Sequence, residues 1–447
     1  MATTASVALI GAVSAASPAR AAGTPPTPQL ADGHGIHVVG ITRIDDRQFN
    51  VKMIPEALGR AVDVRVLLPA GYGQHPQRHY PVLYLYHGTS GRASDWVTMG
   101  DAEKTTASAQ LITVMPDAGF DGDGGGWFTD WVDSSTTLGP SRWESFHVSE
   151  LVAWVDANLR TVAARRGRAI AGLSQGGFGA FTYAARHPDL FAAAASFSGA
   201  PEIDRDPDII VGATAVIEAT AYGLDGVQPD AMFGSRATNE INWQGHDPST
   251  LITNLRGMNL SLWTASGAPG PYDTTPNPGA SGIEALTHAS TQHFHDHLQA
   301  EGIPSTYNDY VFGTHTWAYW SRDLRELIGP LTRTFAHPST PRVISYRSVD
   351  RTWTQWGWSV SVTRPAAQEF SALAGADRHG FDLTGTGTAV VTTPAFYRPG
   401  AAMDVSVSTA PGVQHLRVGP EGQLVIDVPL GAGPSPTSAH VTVRTRR

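Results

Sequence analysis

The sequence predicts an α/β fold with a mostly parallel sheet covered by helices on both faces, followed by a small all-β, sandwich-like domain. Continuous apolar runs, such as residues 80–86 and 111–116, are typical of strands buried on both sides. Segments with helical spacing alternate with these runs up to residue 336, which favours a parallel sheet. Beyond residue 343 we find only short alternating runs between Gly and Pro turns, as in an antiparallel sandwich.

Length and composition limit the classes of protein that fit. The 447 residues exceed one ordinary domain, and 41% hydrophobic against 16% charged residues supply enough apolar material for folded cores. A net charge of -9 argues against a nucleic-acid partner, which would require a basic face. The absence of cysteine excludes disulfides, thiolate metal sites and a cysteine nucleophile. No apolar run reaches the roughly 18 residues that a membrane span requires.

The predicted elements follow one another in the order that this fold requires. Residues 35–85 have an extended pattern, in which the run 62–68 ends as a strand before Pro69. Strands are then predicted at 80–86, 111–116, 168–171, 191–197, 260–264 and 307–312, and helices at 145–160, 178–186, 283–298 and from Trp320. The runs of the all-β part are 343–348, 356–362, 388–392, 403–408, 424–428 and 440–443.

The pentapeptide GLSQG at residues 172–176 matches the nucleophile-elbow pattern G-x-S-x-G. A strand is predicted before it and a helix after it, which is the context that the pattern requires. In such an elbow the chain turns sharply, and small neighbours allow a strained Ser174 to project above the sheet. The backbone N–H of Gln175, at the start of the helix, is then expected to face the oxyanion that forms when the serine attacks a carbonyl.

The loop after the strand at 80–86 is expected to supply a second oxyanion donor. Its sequence is His87-Gly88-Thr89. The predicted donor is the N–H of Thr89, or that of Gly88 if the loop is set differently. His87 is predicted to pack against and orient this loop and to take part in substrate binding, not to act as the base.

The base and its acidic partner should follow the serine in the chain order Ser, Asp or Glu, His. His315 is the predicted base, because it lies in a loop between the predicted strand 307–312 and the next helix. Asp273, a few residues after the strand at 260–264, and Glu284, at the start of a helix, could each hold the imidazole in its productive tautomer. Spacing alone slightly favours Asp273.

At this point the sequence resembles the putative-esterase family of α/β hydrolases, which includes esterase D and the mycobacterial antigen 85 mycolyltransferases. The resemblance covers about residues 60–335. It is carried by WFTDW (127–131), WESF (143–146), GLSQGG (172–177), residues 242–248 and GTHTWAYW (313–320). It implies an α/β-hydrolase fold and acyl-enzyme chemistry. In this family the acid is a glutamate that follows two apolar residues on a helix, and GIEA at 282–285 matches that position, so the resemblance assigns the acid to Glu284 with Asp273 in reserve.

One departure from the family pattern concerns the alcohol that accepts the acyl group. Mycolyltransferases carry an Asp-Gly-Leu-Arg-like oxyanion loop that helps to hold trehalose, whereas this chain has HGTS at 87–90 and resembles the general esterase version there. Trp131 and Trp317, which lie in the segments of the resemblance, are predicted to contact the substrate. The β-rich tail lies outside the resemblance.

The predicted division of the chain has four parts. Residues 1–22 are predicted to be a signal peptide, with an apolar stretch at 5–16 and the small residues Ala19 and Ala21 at the positions of an A-x-A cleavage signal. Residues 23–336 form the α/β-hydrolase catalytic domain, in which 203–240 is expected to form a cap that could line an acyl pocket. Residues 337–343 form a linker, and 344–447 a β-rich accessory domain.

Two clusters of aromatic and imidazole side chains admit more than one interpretation. Four histidines lie on the predicted helix 283–298, and His293 and His297, spaced i, i+4, could face one metal ion. No third ligand is evident, so we predict a solvated helix face and no metal. The tryptophans of the tail, Trp353, Trp356 and Trp358, are expected in a sandwich core, the alternatives being sugar stacking and contact with the catalytic domain.

The sequence therefore predicts a secreted serine carboxylic-ester hydrolase that works through an acyl-enzyme and needs no cofactor. The expected substrate is a small-molecule or lipid ester, and the expected location is extracellular or in the cell envelope. An acyltransferase that moves the acyl group to a sugar or lipid alcohol is the first alternative. A non-catalytic secreted carbohydrate- or matrix-binding protein is the second, although Ser174 and His315 argue against it.

Overall fold

The main sheet of this computed structural model positions the candidate site. The structure describes residues 29–120 and 123–446, so the predicted signal peptide lies outside the described residues. Within them, the strands of the main sheet are β1 (Ile36–Arg43), β2 (Gln48–Pro55), β3 (Val62–Leu67), β4 (Val82–Tyr86), β5 (Ile112–Pro116), β6 (Arg168–Leu173), β7 (Ala193–Phe197), β8 (Asn259–Thr264) and β9 (Ser305–Asp309). Their order is β1-β2-β3-β5-β4-β6-β7-β8-β9. The six strands from β5 to β9 are parallel, and β1, β2 and β3 add an antiparallel edge.

Helices cover both faces of this sheet. In the described residues they are α1 (Asp95–Thr98), α2 (Ala102–Thr105), α3 (Val152–Asn158), α4 (Gln175–Arg186), α5 (Pro207–Gly223), α6 (Arg236–His246), α7 (Pro278–Ala300) and α8 (Trp317–Ala336). A π-helical turn, Ser145–Leu151, leads into α3. Within this part of the chain, no helix has the length and apolarity that crossing a membrane would take.

Alternate side chains of the buried strands face two separate apolar cores. In β4, Val82 and Tyr84 belong to the core that also contains Phe294 of α7, whereas Leu83 belongs to the core that contains Leu324 of α8. The period of two that places successive residues on opposite faces explains why such a strand is a continuous apolar run. The predicted α/β class, with helices on both faces of a mostly parallel sheet, is confirmed.

The predicted strand at 307–312 is displaced in the structure. The strand β9 ends at Asp309, whose side chain accepts the N–H of Val311 at 2.9 Å. Val311 then has a φ of 64° and is exposed together with Phe312. The apolar run therefore continues past the strand into a turn, and this turn begins the loop that carries His315.

The C-terminal part is an antiparallel β sandwich. Its strands are β10 (Ile344–Ser348), β11 (Thr352–Gln355), β12 (Trp358–Thr363), β13 (Ser371–Asp377), β14 (Gly380–Gly385), β15 (Gly387–Thr392), β16 (Ala402–Val407), β17 (Val413–Arg417), β18 (Val425–Gly431) and β19 (Thr437–Thr445). A six-stranded sheet, β10-β13-β14-β19-β16-β17, and a four-stranded sheet, β11-β12-β15-β18, share one apolar core. The prediction identified six of these strands and missed β11, β13, β14 and β17.

The three tail tryptophans do not have a common role. Trp353 and Trp358 are buried in the sandwich core, as expected. Trp356 is not, because it forms the turn between β11 and β12 with a φ of 56°. Its backbone N–H donates to the Asp189 carboxylate at 2.8 Å, and the guanidinium of Arg165 lies 5.0 Å from the centre of its ring. Trp356 is partly buried against the sandwich core and also contacts the α/β domain, so the predicted core position holds only in part.

The sandwich docks at the end of α4 that is remote from Ser174. The hydroxyl of Tyr346 donates to the carbonyl of Arg186, the last residue of α4, at 2.8 Å. Ser174 directly precedes the first residue of that helix. Since α4 has 12 residues and an α-helix rises about 1.5 Å per residue, roughly 18 Å of helix separates this contact from Ser174.

Candidate active site

Ser174 lies at a sharp turn between β6 and α4. Its φ of 52° and ψ of -126° are strained for a residue with a side chain. A Cβ atom on Gly172 would come within 2.3 Å of the Gly176 carbonyl oxygen, and one on Gly176 within 2.3 Å of the His87 carbonyl oxygen. The glycines of the predicted elbow are therefore required by close backbone approach.

The imidazole of His315 is paired with Glu284. The distance from Nδ1 to the Glu284 carboxylate is 2.7 Å, and both side chains are largely buried. The other carboxylate oxygen of Glu284 accepts the hydroxyl of Ser198 and the N–H of Ala265, each at 2.9 Å. A carboxylate at Nδ1 favours the tautomer with the proton on Nδ1, which leaves Nε2 free to accept a proton. The ring of Trp320 meets the imidazole edge to face, with 4.9 Å between centres.

Asp273, the carboxylate that spacing favoured, has other partners. It accepts the hydroxyls of Thr314 and Tyr319, the latter at 2.6 Å, and the N–H of Gly270 at 2.7 Å. Burial on its own would raise the pKa of Asp273, but these hydrogen bonds outweigh it and lower the pKa overall. Asp273 therefore organises the loop beside the base, and the carboxylate that meets the imidazole is Glu284.

The two loops predicted to supply oxyanion donors are joined to each other. Gly88, Thr89 and Gln175 line the same cavity as Ser174. The side-chain amide of Gln175 donates to the hydroxyl of Thr89 at 3.3 Å and to the carbonyl of Gly124 at 3.0 Å. This side-chain bridge, which the sequence did not suggest, fixes the start of α4 relative to the loop after β4.

His87 is buried behind the loop that is predicted to supply an oxyanion donor. Its Nε2 lies 2.9 Å from the N–H of Ala118, and its Nδ1 lies 2.8 Å from the carbonyl oxygen of Gly88. Because a backbone N–H can only donate, Nε2 is the acceptor and Nδ1 carries the proton that goes to Gly88. Burial lowers the pKa of His87, which favours this neutral form.

Two of the three predicted substrate contacts require correction. His87 is 2% and Trp131 6% exposed, and neither lines the cavity. The indole N–H of Trp131 donates instead to the carbonyl of Gly126 at 3.0 Å, so this side chain supports a loop. Trp317 does line the cavity, where its ring packs against Trp96 and Trp320.

An apolar cavity of 530 Å³ opens beside Ser174 and His315. Helix α5, which lies in the segment predicted to form a cap, supplies one wall, and α7 supplies another. The main wall residues are Ile209, Gly212, Ala213 and Val216 of α5 and Ile283 and Leu286 of α7. A cavity of this size and character, with few polar groups near the serine, can hold the apolar part of a ligand.

The histidines of α7 do not form a plain solvated face, which corrects the prediction. All four are only partly exposed, and each has a partner from a distant part of the chain. The contacts are His288 with Asp309, His293 and His297 with Asp206, and His295 stacked on Tyr307.

The sequence reasoning missed Ser198, which fixes the position of Glu284. Ser198 directly follows β7, at the carboxyl edge of the parallel sheet. Functional side chains gather at this edge in open α/β sheets, and that rule is the signal by which Ser198 could have been found.

The fold and the geometry around Ser174 define the chain as an α/β hydrolase. The family model described as putative esterase matches residues 55–329, and the chain belongs to this family. The predicted resemblance is therefore confirmed. The matched region ends before the β sandwich.

Individual relatives agree with this assignment. An esterase of Mycobacterium tuberculosis is 34% identical over 276 residues, which are 61% of this chain and 57% of that protein, so the chain spans little more than half of its length. The diacylglycerol acyltransferase/mycolyltransferase Ag85B of Mycolicibacterium smegmatis is 30% identical over 294 residues, covering 63% of this chain and 83% of that protein.

Solved structures are similar over the same part of the chain. MPT51 of Mycobacterium tuberculosis has a TM-score of 0.50 and 25% identity, covering 62% of this chain and 95% of its own. An S-formylglutathione hydrolase from Agrobacterium tumefaciens has a TM-score of 0.51 over 66% of this chain and 98% of its own. At 17% identity, the second likeness supports the fold alone.

Proposed function

We propose that the protein is a serine carboxylic-ester hydrolase that acts through an acyl-enzyme intermediate. One observation carries the proposal: His315 is oriented by the buried Glu284 in a cavity that it shares with Ser174. An oriented base next to a strained serine is the arrangement that activates a hydroxyl for attack on a carbonyl.

In the proposed first half-reaction, the Ser174 oxygen bonds to the ester carbonyl carbon while its proton passes to Nε2 of His315. The carbonyl oxygen becomes an oxyanion, which the N–H groups of Gln175 and Thr89 stabilise. The carbon–oxygen bond of the ester then breaks, and the proton on Nε2 passes to the departing alcohol. Glu284 stays ionised and stabilises the imidazolium during both transfers.

In the proposed second half-reaction, water attacks the acyl-serine carbonyl. His315 accepts the proton of the water, and the same N–H groups stabilise the second oxyanion. When this intermediate breaks down, Nε2 returns its proton to the Ser174 oxygen. The products are a carboxylic acid and the free enzyme.

The substrate we propose is an ester with an apolar acyl chain. The walls from α5 and α7 that face Ser174 are mostly aliphatic. Three of the apolar side chains that line the cavity, Val216, Ile283 and Leu286, are exposed. A chain bound between the two helices would remove this surface from water, which stabilises the complex by about 25 cal/mol per Å² of apolar area.

An acyltransferase is the second candidate, in which a sugar or lipid alcohol replaces water in the second half-reaction. It is supported by relatives such as the Ag85B protein, named as a diacylglycerol acyltransferase/mycolyltransferase. The chemistry at Ser174 and His315 is the same in both candidates. They differ only in which hydroxyl resolves the acyl-enzyme.

The experiment that tests the proposal combines turnover, labelling and product analysis. p-Nitrophenyl esters from acetate to palmitate are offered to the wild type and to Ser174→Ala, with and without trehalose. We expect Ser174→Ala to lose at least about 10³-fold in kcat. A fluorophosphonate probe should modify Ser174 in the wild type, as peptide mass mapping would detect.

The outcomes separate the candidates. Release of free acid in the presence of trehalose supports the hydrolase, whereas dominant acyl-trehalose supports the transferase. Unchanged turnover in Ser174→Ala would contradict both and would favour a binding protein.

We also propose that the protein is exported, because an apolar stretch at residues 5–16 precedes the small residues expected at a cleavage site. N-terminal sequencing of the protein from culture medium should begin near residue 23. Retention of the intact N-terminus inside the cell would contradict this proposal.

A further inference from the structure

Three side chains with metal-binding atoms converge at the start of α5, apart from the Ser174, His315 and Glu284 group. Glu202 follows β7, Asp206 directly precedes α5, and His297 belongs to α7. One ligand atom of each lies within 4.8 Å of the others. Three segments that are distant in sequence therefore bring two carboxylates and one imidazole to a single point.

Glu202 is a buried carboxyl group that lies against Asp206 and His297. Its side chain is fully buried and accepts the N–H of Asp206 at 3.1 Å and the hydroxyl of Ser249 at 2.9 Å. Within residues 29–120 and 123–446, no arginine or lysine forms an ion pair with it, and its ion-pair partner there is His297. A buried carboxylate next to a second carboxylate is costly unless a proton or a cation neutralises the charge.

The distances in the cluster fit a small tetrahedral cation. The Nε2 atom of His297 lies 2.9 Å from the Asp206 carboxylate and 3.5 Å from that of Glu202. In a tetrahedral zinc site with bonds of about 2.0 Å, neighbouring ligand atoms are about 3.3 Å apart. The two observed distances bracket that value, and the third, between the Glu202 and Asp206 carboxylate oxygens, is within 4.8 Å.

A fourth side chain holds Asp206 in place. The Nδ1 atom of His293 lies 2.5 Å from the Asp206 oxygen that His297 also contacts, and its Nε2 lies 3.3 Å from Asp208. Hydrogen bonds of this kind commonly orient the carboxylates that bind metals.

We propose that Glu202, Asp206 and His297 bind a divalent transition metal of the zinc type, with water in the fourth position. Mixed nitrogen and oxygen ligands suit zinc, whereas calcium and magnesium prefer sites made of oxygen alone. The site joins the loop after β7, the start of α5 and helix α7. Its role is structural, because it fixes the α5 wall of the cavity to the helix that carries Glu284.

Zinc binding to the full chain tests the proposal directly. Protein stripped with a chelator and then dialysed is titrated with Zn²⁺ by calorimetry, and bound metal is counted by elemental analysis. We expect one zinc per chain and a saturable rise in Tm. His297→Gln, Asp206→Asn and Glu202→Gln should each weaken zinc binding at least about 100-fold, and His293→Gln about 10- to 100-fold.

The matched control is His288→Gln, on the same helix but paired with Asp309, and it should bind zinc like the wild type. Circular dichroism and urea unfolding of each metal-free variant verify that it folds. Glu202→Gln is the safest variant, because it keeps the shape of the side chain and removes the charge.

Absence of stoichiometric zinc in the wild type would overturn the proposal. Binding that survives in both His297→Gln and Asp206→Asn would overturn it as well, as would tighter binding of Ca²⁺ than of Zn²⁺ in a parallel titration. Because the readout is bound metal, failure of the esterase proposal would leave these results unaffected.

Discussion

Glu284 and Asp273 are two carboxylates near His315 that differ in what surrounds them. Ser198 and Ala265 hold one oxygen of Glu284 and leave the other for the imidazole. The carboxylate oxygens of Asp273 instead accept hydrogen bonds from Thr314, Tyr319 and Gly270. Hydrogen-bond partners, not proximity along the chain, thus decide which carboxylate can orient the base.

We predict that Glu284→Gln lowers kcat by about 10⁴-fold, the order of magnitude seen when a triad acid becomes an amide. The glutamine oxygen would keep accepting from Ser198 and Ala265, so its NH₂ group would face Nδ1 and enforce the wrong tautomer. Steady-state kinetics with p-nitrophenyl acetate measure the effect. Asp273→Asn is the comparison and should stay within about tenfold of the wild type; a larger loss in Asp273→Asn would reverse the assignment.

We predict that His87 acts as a positioning residue for the oxyanion loop. Its Nδ1–H holds the carbonyl of Gly88, and in the same trans peptide the N–H of Thr89 points the opposite way, away from His87. His87→Ala should lower kcat by about 10- to 100-fold through misplacement of this donor, with KM nearly unchanged. His79→Ala, at an exposed histidine, is the control and should leave both kcat and KM unchanged. A rise in KM at constant kcat would instead indicate direct substrate binding by His87.

At the scale of elements, helix α5 determines the depth of the cavity. A Cβ atom on Gly212 would meet only the end of the Leu286 side chain, at 3.8 Å. A larger side chain can therefore extend from this position into the cavity without disturbing the backbone. The acyl specificity should depend on this single position.

We predict that Gly212→Leu keeps turnover of p-nitrophenyl acetate and lowers kcat/KM for the palmitate ester by at least about tenfold, because the new side chain fills space for the acyl chain. Gly223→Leu, at the exposed end of the same helix, controls for the gain in helix propensity of about 1 kcal/mol. Equal losses for short and long esters would show that the acyl chain binds elsewhere.

The elements that the sequence predicts well are those whose signal is local. Continuous apolar runs identified β4 and β5, and the GLSQG pattern identified the elbow with its strand and helix. The strands β13 and β17 were missed because β13 contains Gly and is rich in Ala, and β17 is mostly exposed, which weakens the alternation.

Long-range contacts could not be predicted from the sequence. Ser198 is 86 residues from Glu284, and Asp206 is 87 residues from His293. Spacing along one segment carries no information about a partner on another. For this reason residue spacing alone leaves two carboxylates as candidates for the acid. It also predicts, incorrectly, that the histidines of α7 form a solvated face.

At the scale of the whole molecule, a buried charge cluster links the sandwich to the α/β domain. Arg186 at the end of α4 binds Glu144 at 2.7 Å and Asp350 of the sandwich at 3.2 Å. Glu144 also meets His187 at 2.7 Å and His246 at 3.6 Å. Burial alone would raise the pKa of Glu144, but Arg186 and the two histidines outweigh it and hold the pKa well below its ordinary value of 4.5.

Because the pKa of Glu144 is lowered in the folded protein, the free energy of unfolding should depend on pH in a predictable direction. A carboxyl group with a folded-state pKa below its unfolded value contributes stability that is fully present above the unfolded value, here 4.5, and is lost as the pH falls towards the folded pKa. We predict that the free energy of unfolding, measured in urea, falls as the pH is lowered from about 5 towards 3, and that Glu144→Gln flattens this fall.

At pH 7, Glu144→Gln should also lower the free energy of unfolding by about 3–5 kcal/mol, because it leaves the largely buried Arg186 without its main partner. Asp350→Asn is the matched variant on the sandwich side of the cluster. Its side chain is 40% exposed, so the loss should be no more than about 1 kcal/mol. A Glu144→Gln variant as stable as the wild type, with the same acid sensitivity, would contradict the role that we assign to the Glu144 carboxylate.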